Sequence, residues 1–343
     1  MSQPVLEARD LKKHFPIRAG IIRREIGQVR AVDGVDIAVA ERETIGIVGE
    51  SGCGKSTLGR LLVRLLGPTG GSLFFEGRDT KNFKRSDHLE FCRNVQIVFQ
   101  NPYASLDSRL TVGRIIGQPL QVHRIPDDHR AQVERLLELV GLNRQDYGRY
   151  PHEFSGGQRQ RIAIARAIAL SPQVIVCDEA TSALDVSIQA QIINLLKELQ
   201  REVGMALVFI SHDLAVVERI SDRVMVMYLG RAVELSDAKS VYRRPAHPYT
   251  QALLSAIPVP DPKVEKERPR IILRGQVPSA AEPPQGCNFS TRCPRATDRC
   301  RREDPSLEPI SQTHLAACFY PLSAGESLEA EAADGDLIPL PQT

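Results

Sequence analysis

The sequence predicts an α/β fold in which helices flank a parallel β-sheet, followed by a cysteine-rich extension. Three continuous apolar runs have the character of buried parallel strands, namely Thr44–Val48, Val174–Cys177 and Ala206–Ile210. Between the last two runs, Ile188–Val203 carries apolar residues at the spacing of an amphipathic helix. Strand, helix and strand in this order predict a right-handed βαβ unit.

The composition is typical of a soluble globular protein of 343 residues, with 42% hydrophobic and 25% charged residues. This length favours about two domains, and the apolar content excludes disorder of the whole chain. Because 44 basic residues nearly balance 42 acidic ones, nucleic-acid binding through bulk charge is disfavoured. No run reaches the ~18 apolar residues that span a bilayer, and Met1–Arg9 lacks the apolar run of a signal peptide. We therefore expect a cytoplasmic chain whose seven cysteines are reduced unless a metal or cluster holds them.

Further elements follow in chain order. Alternating apolar residues over Val5–Ala8 and Val35–Val39 predict two strands at a sheet edge. The strand Val95–Phe99 precedes a stretch at about 102–170 that is mostly helical. A helix is also predicted directly after Thr44–Val48, from the spacing of Leu58, Leu61, Leu62 and Leu65.

The chain divides at a proline-rich run. Pro258–Lys263 predicts a stiff, extended linker. Residues 1–257 then form the first domain, with a helical subdomain at about 102–170, and residues 258–322 form a C-terminal extension. Residues 323–343 form a tail with five acidic and no basic side chains from Gly325 onwards, which predicts disorder.

A glycine-rich loop joins the strand Thr44–Val48 to the helix after it. The loop fits the pattern G-x-x-x-x-G-K-[ST] with the sequence Gly49-Glu50-Ser51-Gly52-Cys53-Gly54-Lys55-Ser56. Glycines let the backbone wrap around phosphates, and free N–H groups at the helix start donate to them. We expect Lys55 to contact the β- and γ-phosphates, Ser56 to bind Mg²⁺, and Cys53 to be a small filler. The predicted nucleotide-binding residues of this loop are Gly49, Ser51, Gly52, Cys53, Gly54, Lys55, Ser56 and Thr57.

Two acidic residues, Asp178 and Glu179, follow the strand Val174–Cys177. Ligands bind at the carboxyl ends of parallel strands, so both side chains are expected beside the glycine-rich loop. Asp178 is then expected to hold Mg²⁺, and Glu179 to orient or deprotonate the attacking water. Alternatively, Asp178 and Glu179 are an ordinary pair of acidic residues at a helix N-terminus. In that case the phosphate loop would have no acidic residue beside it to hold the metal ion.

A second glycine-rich segment makes the sequence resemble a known family. Phe154-Ser155-Gly156-Gly157-Gln158, followed by Arg159-Gln160-Arg161, resembles the signature motif of the ATP-binding-cassette (ABC) superfamily. Gln100 ends a strand as the Q-loop glutamine of that family does, and Asp185 lies in a run similar to the D-loop. His212 follows a strand as the switch histidine does. Phe15 stands where the family places an aromatic residue that stacks on adenine, although a core position fits Phe15 equally well.

This resemblance covers about residues 5–320 and implies a RecA-like P-loop core with an antiparallel β subdomain and a helical signature subdomain. It implies hydrolysis of ATP with Mg²⁺, in which Glu179, His212 and Gln100 are catalytic. The implied metal-binding residues are Ser56, Gln100 and Asp178. Two such subunits sandwich two ATP molecules, so that Ser155 and Gly157 act on the nucleotide of the partner subunit. The implied nucleotide-binding set also includes Phe15, Gly156, Gln158 and Asp185.

Two further runs resemble the ATPases of oligopeptide and dipeptide importers, Gln100–Asp107 and His247–Leu254. Uptake of peptides is therefore implied, at the cytoplasmic face of the inner membrane and by a peripheral subunit. The implied partners are a second ATPase subunit, two transmembrane permease subunits and, indirectly, a solute-binding protein, with no nucleic acid. The basic loop between Phe15 and Val32 also matches these importers; we interpret it as a solvated surface rather than a lipid contact.

Three alternative functions stay open at this point. The same subfamily includes importers of nickel and other small solutes, which the ATPase sequence does not distinguish from peptide importers. A soluble ABC ATPase that acts on DNA or ribosomes is disfavoured, because the chain has one phosphate loop, one signature and no heptad run. A binding module with an inactive ATP site is disfavoured by the presence of Glu179 and His212.

Four of the seven cysteines, Cys287, Cys293, Cys300 and Cys318, fall within 32 residues of the extension. Zinc sites usually show shorter C-x2–4-C spacing, and disulfides are disfavoured by the expected compartment. Four thiolates can hold a [4Fe–4S] cluster, and Pro294 follows Cys293 as proline often follows a cluster ligand. The resemblance to peptide-importer ATPases also implies this cluster. We prefer a cluster to Zn²⁺, and either to free thiols.

Overall fold

The structure, a computed structural model, describes residues 3–20, 24–126, 128–182, 184–258, 271–323 and 325–328. Residues 259–263 of the predicted linker, Arg23 of the basic loop and residues 329–343 of the predicted tail lie outside the described residues. None of the described helices has both the length and the apolar character needed to cross a membrane.

A four-stranded antiparallel sheet begins the fold and confirms the predicted β subdomain. Its order is β2-β1-β4-β5. The strand bounds are β1 (Leu6–Ala19), β2 (Arg24–Val39), β4 (Gly70–Phe75) and β5 (Arg78–Asp79). The prediction that the first strand lies at an edge is wrong, because β1 pairs with β2 on one side and with β4 on the other.

A second sheet of eight strands has the order β11-β12-β10-β9-β3-β8-β7-β6. The five strands from β9 to β6 are parallel, as expected for buried apolar runs. The bounds are β3 (Thr44–Val48), β6 (Val95–Val98), β7 (Val174–Asp178), β8 (Ala206–Ile210), β9 (Arg223–Tyr228), β10 (Arg231–Asp237), β11 (Glu308–Pro309) and β12 (Leu315–Ala316).

Helices cover both faces of this sheet. Their bounds are α1 (Lys55–Leu62), α2 (Arg85–Asn94), α3 (Pro102–Ser105), α4 (Val112–Val122), α5 (His129–Leu139), α6 (Gly156–Ile168), α7 (Val186–Val203), α8 (Leu214–Ile220), α9 (Ala238–Arg243), α10 (Pro248–Ser255) and α11 (Asp298–Arg302). The predicted βαβ unit is β7-α7-β8, and the mostly helical stretch corresponds to α3–α6. The helix predicted to include Leu65 ends instead at Leu62, and Leu65 is exposed.

Two hydrophobic cores form, one on each face of the large sheet. In β8, Leu207 and Phe209 belong to one core, whereas Val208 and Ile210 belong to the other. Because both faces are covered, the strand needs apolar residues at every position. The continuous runs in the sequence are thus explained by two-sided burial.

The cysteine-rich extension joins the same sheet. β12 pairs antiparallel with β10, where Glu234 faces Ala316 and Leu235 faces Leu315. The start of the predicted disordered tail is also held, which differs from that prediction, since the Leu328 N–H donates to Gln251 and the Leu328 side chain is buried.

Candidate nucleotide-binding site

Gly49–Gly54 forms the loop between β3 and α1, as predicted, and Lys55 and Ser56 begin the helix. Gly54 precedes α1 with φ 103°, and a Cβ there would lie 2.0 Å from the Ala31 carbonyl oxygen. No L side chain fits this position, so glycine is required where the loop turns into the helix. Lys55 is buried, and its Nζ donates to the carbonyl oxygens of Gly49 at 2.8 Å and Glu50 at 2.9 Å. The ammonium is therefore held inside a loop of peptide groups.

The tip of the loop and its cysteine differ in exposure. Ser51 and Gly52 are exposed, whereas Cys53 is buried beneath them. Burial raises the pKa of the Cys53 thiol, whose Sγ lies 3.8 Å from Lys55 Nζ. This environment agrees with the prediction of a small filler. Thr57, in the first turn of α1, is partly exposed.

Ser56 and Asp178 meet where α1 begins and β7 ends. The Ser56 hydroxyl is hydrogen-bonded to the Asp178 carboxylate, which is almost fully buried. Burial raises the pKa of Asp178, and the bond from Ser56 opposes that change. Asp178 Oδ1 has no hydrogen-bond partner among the described residues. A buried carboxylate oxygen without a partner beside a hydroxyl fits the hard oxygen ligands that Mg²⁺ prefers.

The three residues predicted to be catalytic come together. Gln100 Nε2 donates to Glu179 Oε2 at 2.8 Å, and His212 Nδ1 lies 3.6 Å from the same oxygen. Glu179 adopts a left-handed φ of 48°, and its N–H donates to the Ile210 carbonyl at the end of β8. A non-glycine residue in this region is uncommon and is found at functional sites. The carboxylate is thereby fixed at the carboxyl edge of the sheet.

The second glycine-rich segment forms the start of α6. Ser155 is its N-cap: its Oγ accepts from the Gln158 N–H at 3.3 Å, while its N–H donates to Gln158 Oε1 at 3.0 Å. Gly156 and Gly157 form the first turn of the helix, which is partly open to solvent. Asp185 occupies the N-cap position of α7 without a capping hydrogen bond from its side chain, and it is also exposed. These polar helix starts are available to a ligand from outside the subunit.

Comparison with known proteins agrees with this geometry. Residues 32–182 match the model of the ABC transporter family, and residues 233–300 match the oligopeptide/dipeptide transporter C-terminal region. The oligopeptide transport ATP-binding protein AppF of Bacillus subtilis is 51% identical over 92% of this chain and 97% of its own length. OppF of Salmonella typhimurium, also an oligopeptide transport ATP-binding protein, is 49% identical over 92% of this chain and 96% of its own length.

The chain is an ABC transporter ATP-binding subunit of the oligopeptide/dipeptide family. It is accordingly an ATPase. A solved structure of cbiO1 from Clostridium perfringens shares the fold, with a TM-score of 0.61 and 27% identity over 71% of this chain and 92% of the other. A dimeric ATP-binding cassette in a post-hydrolysis state, bound to ADP and phosphate, gives a TM-score of 0.60 at 27% identity over 68% of this chain and 98% of the other.

Phe15, which is predicted to stack on adenine, lies on β1 opposite Val29. Its side chain is 36% exposed, and Lys13 Nζ lies 5.3 Å from the ring centroid. The alternative that Phe15 is a core residue is therefore wrong. An exposed ring is open to stacking by a planar base.

Two contacts of the ABC phosphate loop have no counterpart among the motifs of the sequence. The Glu50 carboxylate is paired with Arg292 of the extension, and the Glu50 N–H donates to the Tyr249 hydroxyl at 2.8 Å. Arg292 lies in an arginine-rich stretch in which nothing distinguishes it from its neighbours. The only signal was Tyr249, within the run His247–Leu254 that resembles peptide importers.

The four cysteines of the extension line one cavity, between α10 and α11. Burial raises the pKa of Cys287 to about 11 and of Cys293 to about 12, and the nearby Cys300 and Cys318 act in the same direction. Among the residues that the structure describes, no three His, Cys, Asp or Glu side chains are arranged to hold a metal ion.

Proposed function

We propose that this chain hydrolyses ATP to drive the uptake of dipeptides or oligopeptides across the cytoplasmic membrane. The convergence of Gln100, Glu179 and His212 beside the buried Ser56–Asp178 pair carries the proposal of a hydrolytic site. The peptide class is supported by the match of the C-terminal region and by relatives named as oligopeptide and dipeptide transport proteins. The domain boundaries 1–257, 258–322 and 323–343 are part of this proposal.

Each residue then has a defined role. Lys55 and the N–H groups at the start of α1 bind the phosphates, and Ser56, Asp178 and Gln100 hold the cation. Bound Mg²⁺–ATP supplies the phosphoryl group and neutralises part of its charge. Glu179 accepts the proton of the attacking water, while Gln100 holds the Glu179 carboxylate in place through its 2.8 Å hydrogen bond. His212 faces the same carboxylate at 3.6 Å.

A second ATPase subunit completes the proposed site. The Ser155–Gln158 turn and Asp185 contact the ATP that is bound by the partner subunit. Phe15 stacks on the adenine of the ATP that is bound by its own subunit. The dimeric cassette bound to ADP and phosphate supports this arrangement. Two permease subunits and, indirectly, a solute-binding protein are the remaining partners, at the cytoplasmic face of the inner membrane.

We place the contact with a permease helix at a small groove of the helical subdomain. It lies close to Gln100 in the chain, and exposed Tyr103 stacks against the Arg159 guanidinium at 4.0 Å there. An exposed aromatic ring at a groove is a common anchor for a partner protein. The lining residues are Pro102, Tyr103, Leu106, Ser108, Pro151, His152 and Arg159.

The four-cysteine cavity is proposed to hold a [4Fe–4S] cluster through Cys287, Cys293, Cys300 and Cys318. Their shared cavity supports this ligand set. Burial makes unpaired thiolates costly, as the raised pKa of Cys293 illustrates, so positive iron would supply the charge that thiolates need there. The preference for a cluster over Zn²⁺ rests on the spacing of the cysteines and on Pro294 after Cys293. The chemistry supplied is structural cross-linking of the extension.

Reconstitution of the chain with its permeases in proteoliposomes tests the proposed function. ATP hydrolysis is expected to rise when a peptide-loaded solute-binding protein is added, and labelled peptide should accumulate in the lumen. Lys55→Ala should abolish both signals. Stimulation by nickel or another small solute, with none by peptides, would select the alternative importer. Full activity without permeases and no response to them would overturn the transport role.

A further inference from the structure

One arginine connects the cysteine-rich extension to the phosphate loop. Arg292 Nη1 donates to Glu50 Oε2 at 2.9 Å, and Arg292 Nη2 donates to Glu50 Oε1 at 3.2 Å. The side chains are 9% and 27% exposed, respectively, so the pair is largely shielded from water. A bidentate arginine–carboxylate pair fixes orientation as well as distance. The second residue of the phosphate loop is thus fastened to a segment 242 positions later in the chain.

Glu50 is held at three points in total. Besides its carboxylate, its N–H is bonded to the Tyr249 hydroxyl at 2.8 Å, and its carbonyl oxygen accepts from Lys55 Nζ at 2.9 Å. Any shift of Glu50 therefore moves one of the two carbonyl groups on which the Lys55 ammonium rests. The position of the phosphate-binding lysine depends on the position of Glu50.

Arg292 itself is anchored by a buried aromatic cluster. Phe289 packs against Tyr228 at 5.3 Å and against Tyr249 at 5.4 Å between ring centroids. The Phe289 carbonyl accepts from the N–H groups of Arg292 at 3.0 Å and Cys293 at 2.9 Å. Arg292 thus lies on a packed turn between the aromatic cluster and the four-cysteine cavity, which limits the movement of its guanidinium.

We propose that Arg292 is a positioning residue for ATP binding: through Glu50 it holds the phosphate loop in its ligand-binding shape. The proposal rests on the nucleotide site described above. Arg292 also neutralises a carboxylate in a loop that must accept an anionic ligand. Removing one partner of a shielded pair leaves an uncompensated charge, and here that charge would repel the phosphates.

The test measures ATP Kd, KM and kcat in the complex with the permeases for Arg292→Ala, Arg292→Lys and Arg292→Ala combined with Glu50→Gln. Arg292→Ala should raise Kd and KM for ATP about tenfold, which equals about 1.4 kcal/mol, with kcat changed less than about threefold because loop shape affects binding before chemistry. Arg292→Lys keeps the charge and loses the fork, so its effect should be intermediate. The double variant should recover part of the loss, because the repelling carboxylate is gone.

Arg301→Ala is the matched control. Arg301 lies in the same arginine-rich segment, is exposed, and pairs with Asp298 at 3.2 Å, so its replacement should leave the KM for ATP within about twofold, well below the expected tenfold change. Equal increases in Arg292→Ala and Arg301→Ala, or an unchanged KM in Arg292→Ala, would overturn the proposal. If Arg292→Ala does not fold, an unchanged KM in Arg292→Lys overturns it. Lys55→Ala distinguishes failure of the nucleotide site from failure of the positioning role. If the Lys55→Ala variant still binds ATP, the nucleotide site itself is refuted. If Lys55→Ala is inactive and the Arg292 variants all keep the wild-type KM, only the positioning role is refuted.

Discussion

Replacement of Glu179 by glutamine separates the chemistry of this site from its architecture. Glutamine keeps the shape of the side chain and can still accept from Gln100 Nε2, which now lies 2.8 Å from Glu179 Oε2. The change converts a charge-assisted hydrogen bond, worth about 1.5–3 kcal/mol, into a neutral one of about 0.5–1.5 kcal/mol. The structural loss is therefore about 1 kcal/mol. Loss of a general base costs about 10²–10⁴-fold in rate, or about 2.7–5.5 kcal/mol.

The loss of the general base therefore outweighs the weakened hydrogen bond in its effect on Glu179→Gln. ATPase assays of the reconstituted complex should show kcat reduced at least about 100-fold, while the Kd for ATP stays close to that of the wild type. With turnover blocked, the ATP-bound closed dimer should accumulate. Glu202→Gln, on the exposed end of α7, is the control for removal of a glutamate charge. A Glu179→Gln complex that hydrolyses ATP at a rate near that of the wild type would refute Glu179 as the base.

Three further predictions concern adenine, the cysteines and pH. Phe15→Ala should raise the KM for ATP about tenfold with little change in kcat, since stacking is worth about 1–3 kcal/mol per base. Phe15→Tyr keeps an aromatic ring and should have a KM close to that of the wild type. An unchanged KM in the alanine variant would contradict stacking. Protein purified without oxygen should be brown, absorb near ~400 nm and contain about four irons per chain. The Cys293→Ser variant should lose the iron, whereas the control variant Cys92→Ser should keep it. One zinc per chain, or no metal, in the wild-type protein would refute the cluster. Burial lowers the pKa of His247 to about 4 from an ordinary 6.5. Between these two pH values the unfolded state therefore binds more protons than the folded state. The free energy of unfolding should fall as the pH drops from about 6.5 to about 4, by up to about 3 kcal/mol. Unfolding curves at pH 7.5 and 5 should show that the free energy of unfolding depends less on pH in His247→Asn than in the control His152→Asn. The asparagine oxygen can still cap α10. Equal pH dependence in the two variants would contradict a contribution from His247.

The nucleotide-binding part could be predicted because its signals are local. The glycine-rich loop carries its function in eight consecutive residues, and β3, β7 and β8 are buried on both faces, so the sequence records them as continuous apolar runs. Asp178 and Glu179 follow directly from the end of such a strand. For these elements, the residue order alone determines which side chains share an edge of the sheet.

The contacts of the extension could not be predicted in this way. The Arg292–Glu50 pair joins residues 242 positions apart, and no periodic pattern links them. Arg292 directly precedes Cys293, so the cysteine segment reaches the phosphate loop although the two lie far apart in the sequence. The end of α1 at Leu62 was also missed, since the apolar spacing continues to Leu65 while Arg64 takes a left-handed φ of 55°.

The short strands of the extension also alter the outer border of the large sheet. Without β12, β10 would present unpaired N–H and C=O groups to solvent along its length, which is the surface on which strands of separate molecules associate. β12 pairs with part of this border, and β11 becomes the last strand. β11 has only two residues, and one is Pro309, which has no N–H to donate. The extension thus terminates this border of the sheet with a strand that is poor at recruiting another.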